Sequence, residues 1–148
     1  MAEQMSFFED ATLSGKAKHS IEVVKLAAQM SEQYYGKPLL VCYSGGKDSD
    51  VLLDIVKRAG VPFEIQHSLT TVDAPPTICH IKKVFSGLDE HGVHTEIVHP
   101  TYKGEPTSMW KLIEMKKLPP TRIARYCCSV LKETSTPNRL VALGVRRA

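Results

Sequence analysis

Leu39-Leu40-Val41-Cys42-Tyr43-Ser44-Gly45-Gly46-Lys47-Asp48-Ser49 decides how this chain is read. The first five residues are a short, continuous apolar run, the pattern of a central strand in a parallel sheet covered on both faces. The next six are polar, and apolar residues at helical spacing follow over 49–59. The polar segment therefore falls between a buried strand and a helix, beyond the strand's carboxyl end, where open parallel sheets bind their ligands. Two adjacent glycines permit positive φ and let backbone N–H groups approach an anion without a Cβ in the way. A helix start adds unsatisfied N–H groups and the positive end of its dipole. Ser44 and Ser49 supply hydroxyls, Lys47 a charge, and Asp48 a carboxylate suited to Mg²⁺. A Gly-Gly turn capped by Asp48 or Ser49 accounts for the glycines, but not for all six residues in this context. The G-x-x-x-x-G-K-[ST] spacing of a Walker A loop is absent.

Helix and strand alternate outward from this stretch. Residues 16–35 carry Ile21, Val24 and Ala28 at helical spacing, with Val23, Ala27 and Met30 widening the face; Gly36-Lys37-Pro38 ends the helix. In the helix over 49–59, Val51, Ile55 and Ala59 share one side with Leu52 and Val56 beside them, and Gly60 is the stop. A strand is expected over 63–71. Asp73-Ala74-Pro75-Pro76 turns into a third helix with Ile78, Ile81, Phe85 and Leu88 inward. Thr95-Glu96-Ile97-Val98 reads as a strand, 107–117 as a helix and 140–145 as a last strand. Strands joined through helices require crossovers, so the expected fold is α/β, a twisted parallel sheet with helices on both faces.

The chain has 148 residues, 43% hydrophobic and 24% charged, enough for one core. Residues 1–15 read as a polar N-terminal segment and 16–148 as one nucleotide-binding domain. The formal charge of +3 suits an anionic small molecule without requiring nucleic acid, and no Lys or Arg run forms a tail. No stretch approaches the roughly 20 apolar residues of a membrane span, and the first 15 residues lack the pattern of a signal peptide; a cytoplasmic location is the default expectation. In a reducing compartment Cys42, Cys79, Cys127 and Cys128 are expected as core thiols or metal ligands.

The loop Ser44-Gly45-Gly46-Lys47-Asp48-Ser49 resembles the PP-loop, SGGxDS, of the adenine nucleotide α-hydrolase superfamily, with Lys47 in the variable place. Two further segments resemble the phosphoadenosine phosphosulfate (PAPS) reductase and ATP sulfurylase-like branch. One is Thr71-Val72-Asp73-Ala74-Pro75-Pro76-Thr77. The other is Arg125-Tyr126-Cys127-Cys128-Ser129-Val130-Leu131-Lys132 together with Gly144-Val145-Arg146-Arg147-Ala148. The resemblance covers residues 39–148. It implies ATP or PAPS held at Ser44, Gly45, Gly46, Lys47, Asp48 and Ser49, with Asp73, Arg125, Arg146 and Arg147 completing the nucleotide site. It further implies Lys47 as the catalytic charge and Asp48 as the Mg²⁺ ligand.

It also implies an iron–sulfur role for Cys127 and Cys128, but a cluster needs four thiolates. The chain stops at Ala148 before any later pair, so a C-terminal truncation is expected. The six histidines form no paired metal motif, and Trp110 and Met109 are expected as core or docking residues. Three functions follow: adenylyl transfer from ATP with pyrophosphate release, to a sulfate acceptor or as in the sulfur-transfer proteins of DNA or tRNA modification; reduction of PAPS or adenosine phosphosulfate to sulfite; or a non-catalytic or truncated nucleotide-binding module. The intact loop favours the first, since a sulfonucleotide has no β,γ-pyrophosphate to fill it. An uncovered sheet edge would favour a homo-oligomer.

Overall fold

The computed structural model describes residues 14–132 and 136–145. The elements are α1 (Ser14–Tyr35), β1 (Leu39–Cys42), α2 (Lys47–Ala59), β2 (Phe63–Ser68), α3 (Pro75–Asp89) and β3 (Thr95–Val98). Then come the short strands β4 (Thr101–Tyr102) and β5 (Glu105–Pro106), α4 (Met109–Lys116), α5 (Tyr126–Leu131) and β6 (Val141–Leu143). Four strands form a parallel sheet in the order β3-β2-β1-β6, with Val41 opposite Ile65, Cys42 opposite Leu143 and His67 opposite Ile97. The protein is thus α/β, with a Rossmann-like parallel sheet and flanking helices.

The steps from β1 to β2 and from β2 to β3 advance in one direction, so right-handed crossovers carry α2 and α3 over the same face. The return from β3 past β1 to β6 runs the other way, and the same rule sends it over the opposite face. It contains the β4–β5 hairpin, α4 and α5, whose buried Leu112 and Leu131 lie outside the main core cluster.

That cluster joins alternate residues of β1 and β2 to three helices. Leu39, Val41, Tyr43 and Ile65 meet Val24 and Ala28 of α1, Leu53, Val56 and Ala59 of α2, and Ile81, Phe85 and Leu88 of α3. Leu40, on the other phase of β1, is also buried, and burial of both phases makes the strand a continuous apolar run. Glu64 of β2 accepts from Arg139, which also donates to the carbonyl of Pro38 at 2.9 Å. This pair ties the entry to β6 to the starts of β1 and β2.

Several sequence expectations change. In α2 the buried side is Ser49, Leu53, Val56 and Ala59, while Val51 is 59% exposed. Val51 lies about 160° around the helix from Leu53's side once the strand below sets the orientation. In α1 the buried line is Val24, Ala28 and Ser31, and Val23 and Met30 are exposed; the small Ala28 and Ser31 let the helix pack closely, which narrows the covered stripe. Ser31 Oγ donates to the carbonyl of Lys37 at 2.9 Å, bracing the turn into β1. Strand β2 stops at Ser68, not 71, because Thr71 turns away at φ 67.

The β4–β5 hairpin and α5 were not expected. A hairpin with two residues per strand is too short for periodicity, and its turn is Lys103-Gly104, both at positive φ as a type I′ turn requires. Trp110 is 69% exposed and so is no core residue. Among the described residues no helix is long and apolar enough to cross a membrane. The corrected face of α2 has a direct test by urea unfolding: Leu53→Ala costs about 2–5 kcal/mol, whereas Val51→Ala stays within about 0.5 kcal/mol.

Candidate functional site

Helix α2 begins at Lys47, two residues earlier than its apolar pattern suggests, so the polar loop narrows to Ser44, Gly45 and Gly46 between β1 and the helix. Gly45 has φ +77, and a Cβ there would come within 3.0–3.1 Å of Ile81 and Thr77 side-chain atoms of α3. The torsion favours glycine at this position, and a side chain would also press on Ile81 and Thr77. Gly46 is the N-cap with extended torsions and no side-chain cap, so no side chain caps the first turn of α2. Ser49 is buried, donates to the carbonyl of Gly46 at 2.7 Å and receives the Ser44 hydroxyl at 3.3 Å. The two serines therefore hold the loop's shape from both ends.

Gly144, immediately after β6, completes the frame. A Cβ on it would lie 2.6 Å from the carbonyl oxygen of Asp48 and 3.2 Å from the Ser49 nitrogen. Backbone meets backbone here, which only glycine allows. The end of β6 is thereby seated against the first turn of α2.

A cavity of about 250 Å³ opens at these strand ends. Its walls include Ser44 and Ser49 of the loop, Gln66, His67 and Ser68 of β2, Asp73 beyond β2, Lys132 after α5 and Gly144 after β6. The volume is below the roughly 300–1,000 Å³ typical of sites that enclose a drug-sized ligand. A larger cavity of about 710 Å³ lies between α2 and α3, bordered by Gly60, Val61 and Phe63 at the amino end of β2. Position outweighs volume here, because parallel sheets bind at carboxyl ends.

Of the residues singled out in the sequence, Ser44, Ser49 and Asp73 come together on the cavity wall. Gly45, Gly46, Lys47 and Asp48 adjoin it in the loop and first helical turn; Lys47 is exposed and Asp48 half-buried. Asp73 accepts from the Thr70 N–H at 2.9 Å, a local turn that also fixes its carboxylate at the cavity. Arg125 is exposed at the N-cap of α5, and is not among the cavity-lining residues. Arg146 and Arg147 lie outside the described residues. Cys127 and Cys128 are half-buried free thiols on α5. Among the described residues no group of three or more His, Cys, Asp or Glu could hold a metal ion.

Sequence reasoning passed over His67. It is 4% exposed, and its Nδ1 lies 2.8 Å from the carbonyl oxygen of Tyr43. A carbonyl only accepts, so Nδ1 carries the proton and Nε2 of the neutral ring is an acceptor. Nε2 is buried without a protein partner, and the residue lines the cavity. The only sequence signal was a histidine near the end of a strand whose apolar residues are Phe63 and Ile65. Thr71 was quoted only as part of a motif. Its positive φ is strained for a β-branched residue, and its Oγ1 accepts from the Met109 N–H at 2.9 Å, tying α4 to the cavity rim.

Beneath the loop, Tyr43 donates its phenolic proton to Asp50 of α2, so His80 Nε2 of α3, 3.0 Å away, donates to the same oxygen. Burial, followed by the Asp50 hydrogen bond and charge, holds the Tyr43 phenol well above the usual tyrosine range. Burial also raises the Cys42 thiol, which lines the cavity.

Compared with known proteins, the chain matches no family model and no curated protein. The site's own residues therefore carry the functional reading.

Two outcomes check this geometry. Gly144→Ala destabilises the fold by about 1–3 kcal/mol through overpacking, whereas Gly46→Ala, whose Cβ would meet only Ser44 Oγ at 3.6 Å, costs less than about 1 kcal/mol; thermal melts compare them. In timed alkylation read by mass spectrometry, exposed Cys79 reacts ahead of Cys42, whose raised pKa leaves less thiolate at neutral pH.

Proposed function

We propose that this chain is a PP-loop protein of the PAPS reductase-like family that binds ATP with Mg²⁺ and supports adenylyl transfer with pyrophosphate release, in sulfate or sulfur metabolism. The observation that carries the proposal is the seating of Ser44-Gly45-Gly46 between the end of β1 and an N-terminus of α2 without a side-chain cap, beside a polar cavity at the strand ends. Backbone N–H groups there suit the oxygens of a pyrophosphate, while Ser44 and Ser49 hold the loop's shape.

The chain's own residues take distinct parts in this reading. Lys47, exposed at the first helical position, reaches outward to charge developing on the leaving pyrophosphate. Asp48 and Asp73 are hard oxygen donors of the kind magnesium takes. Bound Mg²⁺ would neutralise phosphate charge as the bond to the α-phosphorus breaks. His67 Nε2 is an acceptor for a hydroxyl or amino group of the ribose or adenine. The larger part of the nucleotide stays in the open cleft, where an acceptor can reach the α-phosphate.

An iron–sulfur reductase fits these residues less well. Cys127 and Cys128 supply two thiolates where a cluster needs four, and no third metal-ligating group joins them among the described residues.

Calorimetric titration with Mg²⁺-ATP and with PAPS tests the proposal. Saturable ATP binding, competed by inorganic pyrophosphate, is expected, and Lys47→Ala lowers pyrophosphate release about 100-fold. Bound Mg²⁺-ATP also slows alkylation of Cys42 and leaves Cys79 unaffected. Tight PAPS binding with no ATP binding would overturn it.

A further inference from the structure

The return between β3 and β6 carries a charge that the whole-chain balance conceals. Residues 101–132 hold seven Lys or Arg against two Asp or Glu, a net of +5. The chain holds 19 against 16, so the remaining residues have 12 against 14, a net of −2. The entire positive excess of the protein thus sits in this one segment.

The segment is a structural unit with aromatic surface among its cations. The β4–β5 hairpin is joined to α4 by Lys111, which reaches the Pro106 carbonyl at 3.4 Å and Glu105 at 3.6 Å. Lys116 of α4 donates to the Tyr102 hydroxyl at 3.2 Å, and the ammonium groups of Lys116 and Lys103 lie 5.3 and 5.6 Å from the Tyr102 ring centroid. Tyr126 of α5 donates to the carbonyl of Leu118 at 2.6 Å, closing the loop that follows α4. Trp110 is 69% exposed and Ile123 97% exposed.

The unit borders the cavity at both ends. Thr71, two residues from the cavity-lining Asp73, accepts from the first N–H of α4, and Lys132, directly after α5, lines the cavity itself. A partner lying along this unit would reach the strand ends of the sheet.

We propose that the β4–β5 hairpin, α4 and α5 form a docking surface for single-stranded nucleic acid, with the cations tracking phosphates and Trp110 stacking on a base. Flexible cations suit a repeating polyanion, and an exposed indole suits the π-face that every base presents. This goes beyond the nucleotide reading and does not depend on which reaction follows.

Trp110 is the chain's single tryptophan, so its emission reports on the contact directly. The full chain is titrated with a single-stranded oligouridylate of about 12 nucleotides, a span that one such surface accommodates, and with inorganic polyphosphate of similar length. The oligonucleotide is expected to quench the emission and polyphosphate to leave it unchanged. Trp110→Ala, at an exposed position and read by anisotropy of a labelled oligonucleotide, weakens binding about tenfold, and Trp110→Phe restores most of it. Lys116→Gln with Lys117→Gln makes the salt dependence shallower by about 1.4 in log–log slope. Unchanged emission on binding, or equal affinity for oligonucleotide, polyphosphate and an acidic polypeptide, overturns the proposal. ATP affinity is measured in parallel: if ATP binds normally while the oligonucleotide fails, only the docking surface is refuted. The converse result refutes only the nucleotide reading.

Discussion

The backbone of Gly144 pressed against the carbonyl of Asp48 and the nitrogen of Ser49 is the contact on which the rest of the site depends. It joins the last strand to the first turn of α2, more than ninety residues earlier in the chain. Without it the cavity loses one wall, and the loop between β1 and α2 loses the surface that positions it. Gly45 provides the matching constraint on the other side, through its positive φ and its close approach to Ile81 and Thr77 of α3. The candidate site is thus held between two glycines that serve different neighbours, and both contacts are between parts of the chain distant in sequence.

Beneath the loop the structure mixes apolar packing with one polar cluster. The Tyr43 ring packs against Phe85 with centroids 5.9 Å apart, while its hydroxyl joins Asp50 and His80. One side chain therefore links β1, α2 and α3 through both burial and hydrogen bonding. A buried hydroxyl left unpaired would cost about 1–3 kcal/mol, so the cluster restricts how α2 and α3 can shift relative to the strand. This stiffness is transmitted to the loop, since Asp50 sits one turn into the helix that the loop begins. The return between β3 and β6 contrasts with it, being built from a small hairpin and short helices tied to the rim by single hydrogen bonds such as Met109 N–H to Thr71.

Legibility followed the range of the interactions. The apolar run of β1 and the Ile81, Phe85 and Leu88 line of α3 were readable because each expresses burial through a local sequence pattern. The orientation of α2 was not, since Val51 and Leu53 are equally apolar and only the sheet beneath selects which one is covered. The β4–β5 hairpin escaped because two residues per strand carry no period. His67 escaped for a different reason: a histidine in a strand has no motif, and its role appears only when Tyr43 takes one ring nitrogen and the cavity faces the other.

The sequence by itself determined the class of fold and the location of the glycine loop between β1 and α2. Both depend on short-range facts: hydrophobic period, glycine torsion, and the start of a helix directly after a strand. Tertiary structure alone decided which residues share the cavity with that loop. Asp73, His67, Lys132 and Gly144 arrive from four separate segments, and parallel crossovers bring them together at one edge of the sheet. It also decided that the chain's positive excess and its exposed Trp110 occupy a single unit beside that edge. Charge totals are additive along a sequence, whereas proximity is set by the path of the chain.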